Sequence, residues 1–119
     1  MKKDQPVNPQ EKHAVFALID LIKANPLEVE LLMIGPLTNL AMAIRLEPDL
    51  PSLIKRVCIM GGTTTGHGNT TMATEFNFSC DPEAATVVFK AFEVASDPKL
   101  LLFPWDTCLK HSVNWYFYD

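Results

Sequence analysis

The sequence predicts an α/β fold in which helices flank an open parallel sheet. Two observations support this fold class: short apolar runs end at glycine or proline, and helix-like segments separate the runs. The chain has 119 residues, a net charge of −4 and 48% hydrophobic residues, values that are ordinary for one domain. We therefore interpret residues 1–119 as a single domain or one piece of a domain.

The first half contains two predicted helices with a strand between them. Residues 11–24 form the first helix, because four apolar side chains recur at helical spacing: Val15, Leu18, Ile19 and Ile22. The Asn25-Pro26 pair ends this helix, since proline pushes the preceding residue out of the helical region. The apolar run at 29–34 predicts a strand that is buried on both faces, and residues 37–46 return to helical composition.

The second half continues the alternation. Residues 56–60 form a second apolar strand and residues 99–103 a third. Between them, Asp81 is suited to cap a helix from Pro82 to about Ala95, which the Asp-Pro pair at 97–98 terminates. This order predicts right-handed crossovers between parallel strands.

The loops that follow the three strands, at 35–39, 61–77 and 104–107, open on the same edge of such a sheet, where ligands bind. The middle loop is by far the longest, which favours a functional role. It contains two amides and a carboxylate, Asn69, Glu75 and Asn77, a set that suits hydrogen bonding to the two hydroxyls of a vicinal diol such as a sugar. The alternating Phe76 and Phe78 are then expected to face the core.

Other site types have weaker support in the sequence. The glycines at 61–62 and 66–68 match no phosphate-binding motif and suit turns. The spacing of His67, Cys80 and Asp81 matches no recurring metal site. No G-x-S-x-G elbow marks a nucleophilic triad.

Composition also bears on partners and setting. The mild acidity and scattered Lys and Arg argue against nucleic acid or an anionic membrane as a partner. No apolar run reaches the ~20 residues that span a bilayer, and the polar N-terminus lacks the apolar region of a secretion signal. Three cysteines without C-x-x-C spacing fit a reducing environment, so we expect a cytoplasmic protein.

Three blocks of sequence, in this order, resemble the inosine–uridine-preferring nucleoside hydrolase family. They are MIGPLTNLAMA at 33–43, IMGG at 59–62 and GNTTMATEFNFSCDPEAATVVF at 68–89. The resemblance runs from about His13 to Phe103, and the E-F-N followed by D-P-E-A-A is its most specific part.

The resemblance implies hydrolysis of the N-glycosidic bond of ribonucleosides to ribose and free base, with a bound calcium ion. By position, it implies that Asn69, Glu75 and Asn77 hold the ribose and that Met60 lines the sugar pocket. It also implies that the backbone carbonyl of Thr38 ligates calcium, an ion that takes six to eight oxygen ligands.

The family's aspartate-rich D-T-D-x-G-x-D-D segment and its later His-Asp pair have no counterpart in this sequence. These motifs supply most calcium ligands and the catalytic groups, so we identify no catalytic residue here. We therefore expect a partial, nucleoside hydrolase-like chain that is inactive on its own, because one carbonyl cannot hold calcium.

The alternative is a non-catalytic protein that binds a ribosyl ligand or a partner subunit, including a second copy in a homo-oligomer. Three parallel strands leave open sheet edges, which are templates for pairing. The aromatic C-terminal run SVNWYFYD at 112–119 is also expected to pack against other parts of a larger protein.

Overall fold

The computed structural model describes residues 11–93, 99–113 and 116. Three strands and six helices alternate within this part of the chain. In chain order they are α1 (Ala14–Ala24), β1 (Glu30–Met33), α2 (Thr38–Leu46), α3 (Leu50–Leu53), β2 (Arg56–Met60), α4 (Phe76–Cys80), α5 (Pro82–Glu93), β3 (Leu100–Phe103) and α6 (Trp105–Lys110). The α/β class and the open parallel sheet are confirmed.

The sheet has the order β1-β2-β3, and both strand pairs are parallel. Both crossovers therefore step in the same direction across the sheet. Because such crossovers are right-handed, the connecting helices lie on the same face of the sheet. One hydrophobic core fills the space between that face and the helices. It includes Ile22 of α1, Leu40 of α2, Val57 and Ile59 of β2, and Val88 of α5.

The prediction that β1 is buried on both faces is wrong for this structure. Leu31 and Met33 lie on the helix-covered face and are half-buried, whereas Leu32 is 70% exposed. The register aligns Leu32 with Cys58 and Leu101 on the opposite face. No described helix covers that face, because every described crossover runs over the other one. We refer to the side chains of Leu32, Cys58, Leu101 and Phe103 as the open face.

The long loop after β2 is shorter than predicted, because residues 76–80 form α4. Glu75 is the N-cap of this helix and nucleates it by accepting hydrogen bonds from its first turn. The turn orients Phe78 toward the core but leaves Phe76 52% exposed, so the prediction that both phenylalanines face the core is wrong for Phe76. The short helices α3 and α6 were not predicted, and the 104–107 loop is the start of α6.

The predicted helix boundaries hold within a few residues. Helix α1 starts at Ala14, where the His13 side chain accepts a hydrogen bond from the Val15 amide. Asp81 caps α5, with its Oδ1 accepting from the Ala84 amide at 2.9 Å. The predicted stop at 97–98 lies outside the described residues, as does most of the aromatic C-terminal run. Among the helices that the structure describes, none is long and apolar enough to cross a membrane.

Candidate functional site

The carboxyl ends of the three strands meet at one edge of the sheet, as the sequence predicts. The side-chain nitrogen of Asn77, Nδ2, donates to the Met60 carbonyl at 3.0 Å and to the Ile34 carbonyl at 3.4 Å. This side chain thus bridges the ends of β2 and β1. At the end of β3, the Trp105 amide donates to the Gly62 carbonyl at 2.9 Å. The loop after β2 therefore connects to both neighbouring strands at this edge.

Glu75 holds the start of α4 against the end of β2. Its Oε1 accepts from the Asn77 amide at 2.8 Å, and its Oε2 accepts from the Phe78 amide at 3.2 Å and the Gly62 amide at 2.8 Å. The side chain is only 3% exposed. A carboxylate has about four acceptor positions. Three are satisfied by backbone here, so about one remains for another donor.

Asn69 reaches the same helix end from the middle of the loop. Its Oδ1 accepts from the Phe76 amide at 2.7 Å. The first three amides of α4, which lack partners within the helix, are therefore satisfied by two side chains, Asn69 and Glu75. The structure brings Asn69, Glu75 and Asn77 together, and all three serve to shape the edge.

Glu75 and Asn77 are the two polar residues that are buried within the described part of the chain. Asn77 is 7% exposed, and its amide nitrogen also approaches the Met60 sulfur at 3.4 Å. Its carbonyl oxygen, in contrast, receives no hydrogen bond from a described residue, and it is not fully enclosed. Burial of polar groups is unfavourable unless they are satisfied, and the hydrogen bonds to the strand ends and to the start of α4 satisfy these two side chains, apart from the Asn77 carbonyl oxygen.

Two glycines let this edge close. Gly61 and Gly62 lie directly under the ring of Phe78: a Cβ added to Gly61 would come within 2.3 Å of its Cε1 atom. Gly62 also has a positive φ of 70°, which favours glycine. Phe78 in turn packs edge-to-face on Phe89 of α5, with the ring centroids 5.9 Å apart. These glycines therefore allow the Phe78 ring to pack closely against the end of β2.

Thr38 is the first residue of α2, and its hydroxyl donates to Asp81 Oδ2 at 2.5 Å. This bond and the cap of α5 lower the pKa of Asp81 below its usual value. Asp81 is the carboxylate that the described structure places beside Thr38, and it is already engaged. The described residues contain no group of three or more His, Cys, Asp or Glu side chains that could hold a metal ion. Since calcium requires six to eight oxygen ligands, the donor set near Thr38 does not fit the ion by itself.

Asp106, in the first turn of α6, is a residue of this edge that the sequence reasoning missed. Its carboxylate accepts from the Thr64 amide at 2.6 Å, the Thr64 hydroxyl at 3.0 Å and the Thr63 hydroxyl at 3.2 Å, and also from the Thr65 hydroxyl. These bonds, above all the one from Thr65, hold the pKa of Asp106 far below its usual range. The sequence does contain a signal for this cluster: three consecutive threonines follow one strand, and an aspartate follows the next.

Two other titratable side chains discussed above, those of His67 and Asp81, have separate partners. His67 Nδ1 lies 3.2 Å from the Thr65 hydroxyl, and Asp81 is occupied in capping α5. Within the described residues, His67, Cys80 and Asp81 form no common metal-binding group.

Comparison with known proteins gives consistent results. A sequence model of the family described as inosine-uridine preferring nucleoside hydrolase matches residues 1–119. The non-specific ribonucleoside hydrolase RihC of Escherichia coli (strain SMS-3-5 / SECEC) is 43% identical over 84 residues, which are 71% of this chain and 27% of that protein. The pyrimidine-specific ribonucleoside hydrolase RihB of Escherichia coli O1:K1 / APEC is 42% identical over 80 residues, 67% of this chain and 25% of that protein.

Solved structures show the same likeness. The purine-preferring ribonucleoside hydrolase from Gardnerella vaginalis superposes with a TM-score of 0.83 and 29% identity, covering 95% of this chain and 34% of that chain. The chain thus spans about a quarter to a third of the length of the relatives it matches.

Proposed function

Because this chain belongs to the inosine–uridine preferring nucleoside hydrolase family, we propose that it forms the ribose-binding edge of an enzyme that hydrolyses ribonucleosides to ribose and free base. The family assignment supports the class of substrate. The proposal for this chain's own role is supported by one observation above all. The two buried polar side chains among the described residues, Glu75 and Asn77, both lie at the carboxyl edge of the sheet, where ligands of such folds bind.

Three side chains have distinct proposed roles toward the sugar. Asn77 presents its carbonyl oxygen as an acceptor for a ribose hydroxyl, while its nitrogen stays bonded to Met60 and Ile34. Asn69 contributes its amide nitrogen as a donor, since its oxygen is occupied by the Phe76 amide. Glu75 accepts one further hydroxyl at its remaining acceptor position and otherwise orders the loop.

In the proposed reaction, the bond between C1′ and the base nitrogen breaks, the base takes up a proton, and the hydroxyl of water adds to C1′. The transition state resembles a ribosyl cation, as in glycoside hydrolysis. The residues of this edge bind the ribose and fix its orientation, which lowers the entropic part of the barrier. No described residue is assigned as the base that activates the water.

Calcium, when bound in the whole enzyme, would orient a water molecule and lower its pKa. We propose that the carbonyl of Thr38 is one ligand and that the other ligands come from outside the described residues, because the donor set there does not fit the ion alone. It follows that this chain alone has little or no hydrolase activity.

Three unpaired cysteines, Cys58, Cys80 and Cys108, support the expected reducing, cytoplasmic setting.

Titration of the isotope-labelled chain with ribose, inosine and uridine, followed by NMR, tests this proposal. We expect shifts at the amides around Asn77 and a loss of binding of at least tenfold in Asn77→Ala. Asn25→Ala is the matched control, because Asn25 lies between α1 and β1, at the amino end of the strands, and its side chain donates only to the nearby Leu21 carbonyl. The proposal is wrong if ribose causes no shift at any concentration, or if both variants weaken binding equally.

A parallel assay addresses catalysis. The chain is incubated with inosine or uridine and calcium, and the release of free base is followed. We expect no release above the background rate. Turnover comparable with that of a full-length family member would contradict the proposal that the catalytic groups lie elsewhere.

A second candidate function is subunit interaction, and the open face favours it. Parallel sheets are normally covered on both faces, whereas Leu32, Leu101 and Phe103 are 70%, 41% and 44% exposed. We propose that a partner subunit covers this face, and a homo-oligomer is the form of this proposal that the chain alone can test. Light scattering after size exclusion should then show a dimer that Leu32→Lys dissociates, with Leu27→Lys, another exposed leucine that lies in a turn, as control. A monomer at every concentration would exclude this candidate.

A further inference from the structure

The threonines at 63–65 and Asp106 form a cluster that the ribose assignment does not use. All four residues lie at the sheet edge. Within the described part of the chain, none of them is hydrogen-bonded to Asn69, Glu75 or Asn77. The cluster joins two elements that are far apart in sequence, the start of the loop after β2 and the first turn of α6.

The carboxylate of Asp106 is fully engaged. It receives one backbone amide and three hydroxyls, all from three consecutive residues, which fills the roughly four acceptor positions of a carboxylate. Hydrogen bonds to an ionised acceptor are about twice as strong as neutral ones. This segment of the loop is therefore held firmly to α6.

The loop is anchored at both of its ends by buried or ionised carboxylates. Glu75 ties the far end to the Gly62 amide, and Asp106 ties the near end at Thr63 to Thr65. Between the anchors, the backbone closes on itself through bonds from the Gly68 amide to the Met72 carbonyl and from the Asn69 amide to the Thr74 carbonyl. Asn69 sits in this closed segment, three residues beyond Gly66, whose φ of 70° marks a sharp turn.

We propose that Asp106 is a positioning residue for the sugar site: through the three threonines it fixes where the loop leaves β2, and thereby where Asn69 meets the start of α4. This inference rests on the proposed function for its consequence, which is weaker ribose binding when the anchor is lost. Its structural part, the dependence of Asn69 on Asp106, is independent of any ligand.

Hydrogen exchange of the whole chain, measured by NMR, tests the structural part. In Asp106→Ala we expect exchange to accelerate at least tenfold at the Thr64 amide, which donates to Asp106, and at the Phe76 amide, which donates to Asn69. Amides in the centre of β2, such as that of Ile59, should keep their wild-type rates. Asp49→Ala is the control, because the exposed Asp49 side chain makes no capping bond.

Two further variants separate positioning from general stability. Thr65→Val removes one hydroxyl while leaving the fold's core untouched, and it should show the same pattern with a smaller effect. Asp106→Asn keeps one acceptor oxygen and should restore part of the protection at the Phe76 amide. Uniform acceleration of all amides, or unchanged exchange at Phe76, would overturn the proposal.

Ribose titration of the same variants tests the functional part. We expect binding to weaken at least tenfold in Asp106→Ala and to be unchanged in Asp49→Ala. If the wild-type chain fails to bind ribose, the proposed function is wrong, and the exchange comparison still decides whether Asp106 positions Asn69. If the wild-type chain binds and Asp106→Ala binds equally well, the positioning role is refuted.

Discussion

The Glu75 carboxylate accepts three backbone hydrogen bonds while it is almost fully buried, so replacing it with glutamine is an informative perturbation. Glutamine has nearly the same shape but carries one oxygen and one NH₂ group. Whichever way the amide turns, at least one backbone N–H faces a second donor, and this costs about 1–3 kcal/mol for an unsatisfied buried group. The bonds that remain lose their ionic character, which costs about 0.5–1 kcal/mol in addition.

Together these terms predict that Glu75→Gln lowers the free energy of unfolding by about 1.5–4 kcal/mol. With a urea dependence of about 1.5 kcal/mol per molar, the unfolding midpoint should fall by about 1–2.7 M. Circular dichroism follows the unfolding of wild type, Glu75→Gln and the control Glu28→Gln. Glu28 is exposed in the turn before β1, and its variant should stay within about 0.5 kcal/mol of wild type. A Glu75→Gln midpoint that coincides with the control would refute the reasoning.

Two further predictions concern the same edge. Gly61→Ala should destabilise the fold by about 1–3 kcal/mol, because its new Cβ would overlap the Phe78 ring, whereas Gly35→Ala, with nothing within 4 Å, should have little effect in the same urea experiment. Because its bonds to the Thr38 hydroxyl and the α5 N-terminus lower the pKa of Asp81, Asp81 should stabilise the fold above about pH 4, its pKa when unfolded. That stability should be lost as the pH falls through the lower folded pKa, so the stabilities of wild type and Asp81→Asn should converge on acidification. A gap that widens on acidification would contradict this.

The periodicity of the sequence located the elements with large apolar faces. Val15, Ile19 and Ile22 repeat at helical spacing and are buried in α1, and the run at 56–60 forms β2 with the predicted bounds. The sequence pattern predicts these elements because one face of each must be removed from water. Helices α3, α4 and α6 have four to six residues, too few to establish a period, and were therefore missed.

The site shows a similar division. Residue type and loop position were enough to identify Asn69, Glu75 and Asn77 as candidates, because amides and a carboxylate in the longest loop of the ligand edge can hydrogen-bond the hydroxyls of a sugar. Their hydrogen-bond partners could not be predicted from the sequence, since the bond from Asn77 to Ile34 joins residues that are 43 positions apart. The cluster around Asp106 was missed for the same reason, as its hydrogen bonds span 41 to 43 positions.

By itself, the sequence determined the α/β class, the parallel strands and the edge at which polar groups gather. Short-range patterns decide these features, because buried apolar side chains recur along the sequence with the period of the helix or strand that contains them. The tertiary structure alone decided that the helices of the described residues leave one face of the sheet uncovered, as the exposed Leu32 shows, because both crossovers run over the other face. It also decided that Glu75 and Asn77 are buried and hold the strand ends together, since hydrogen bonds between distant residues exist only once the chain has folded.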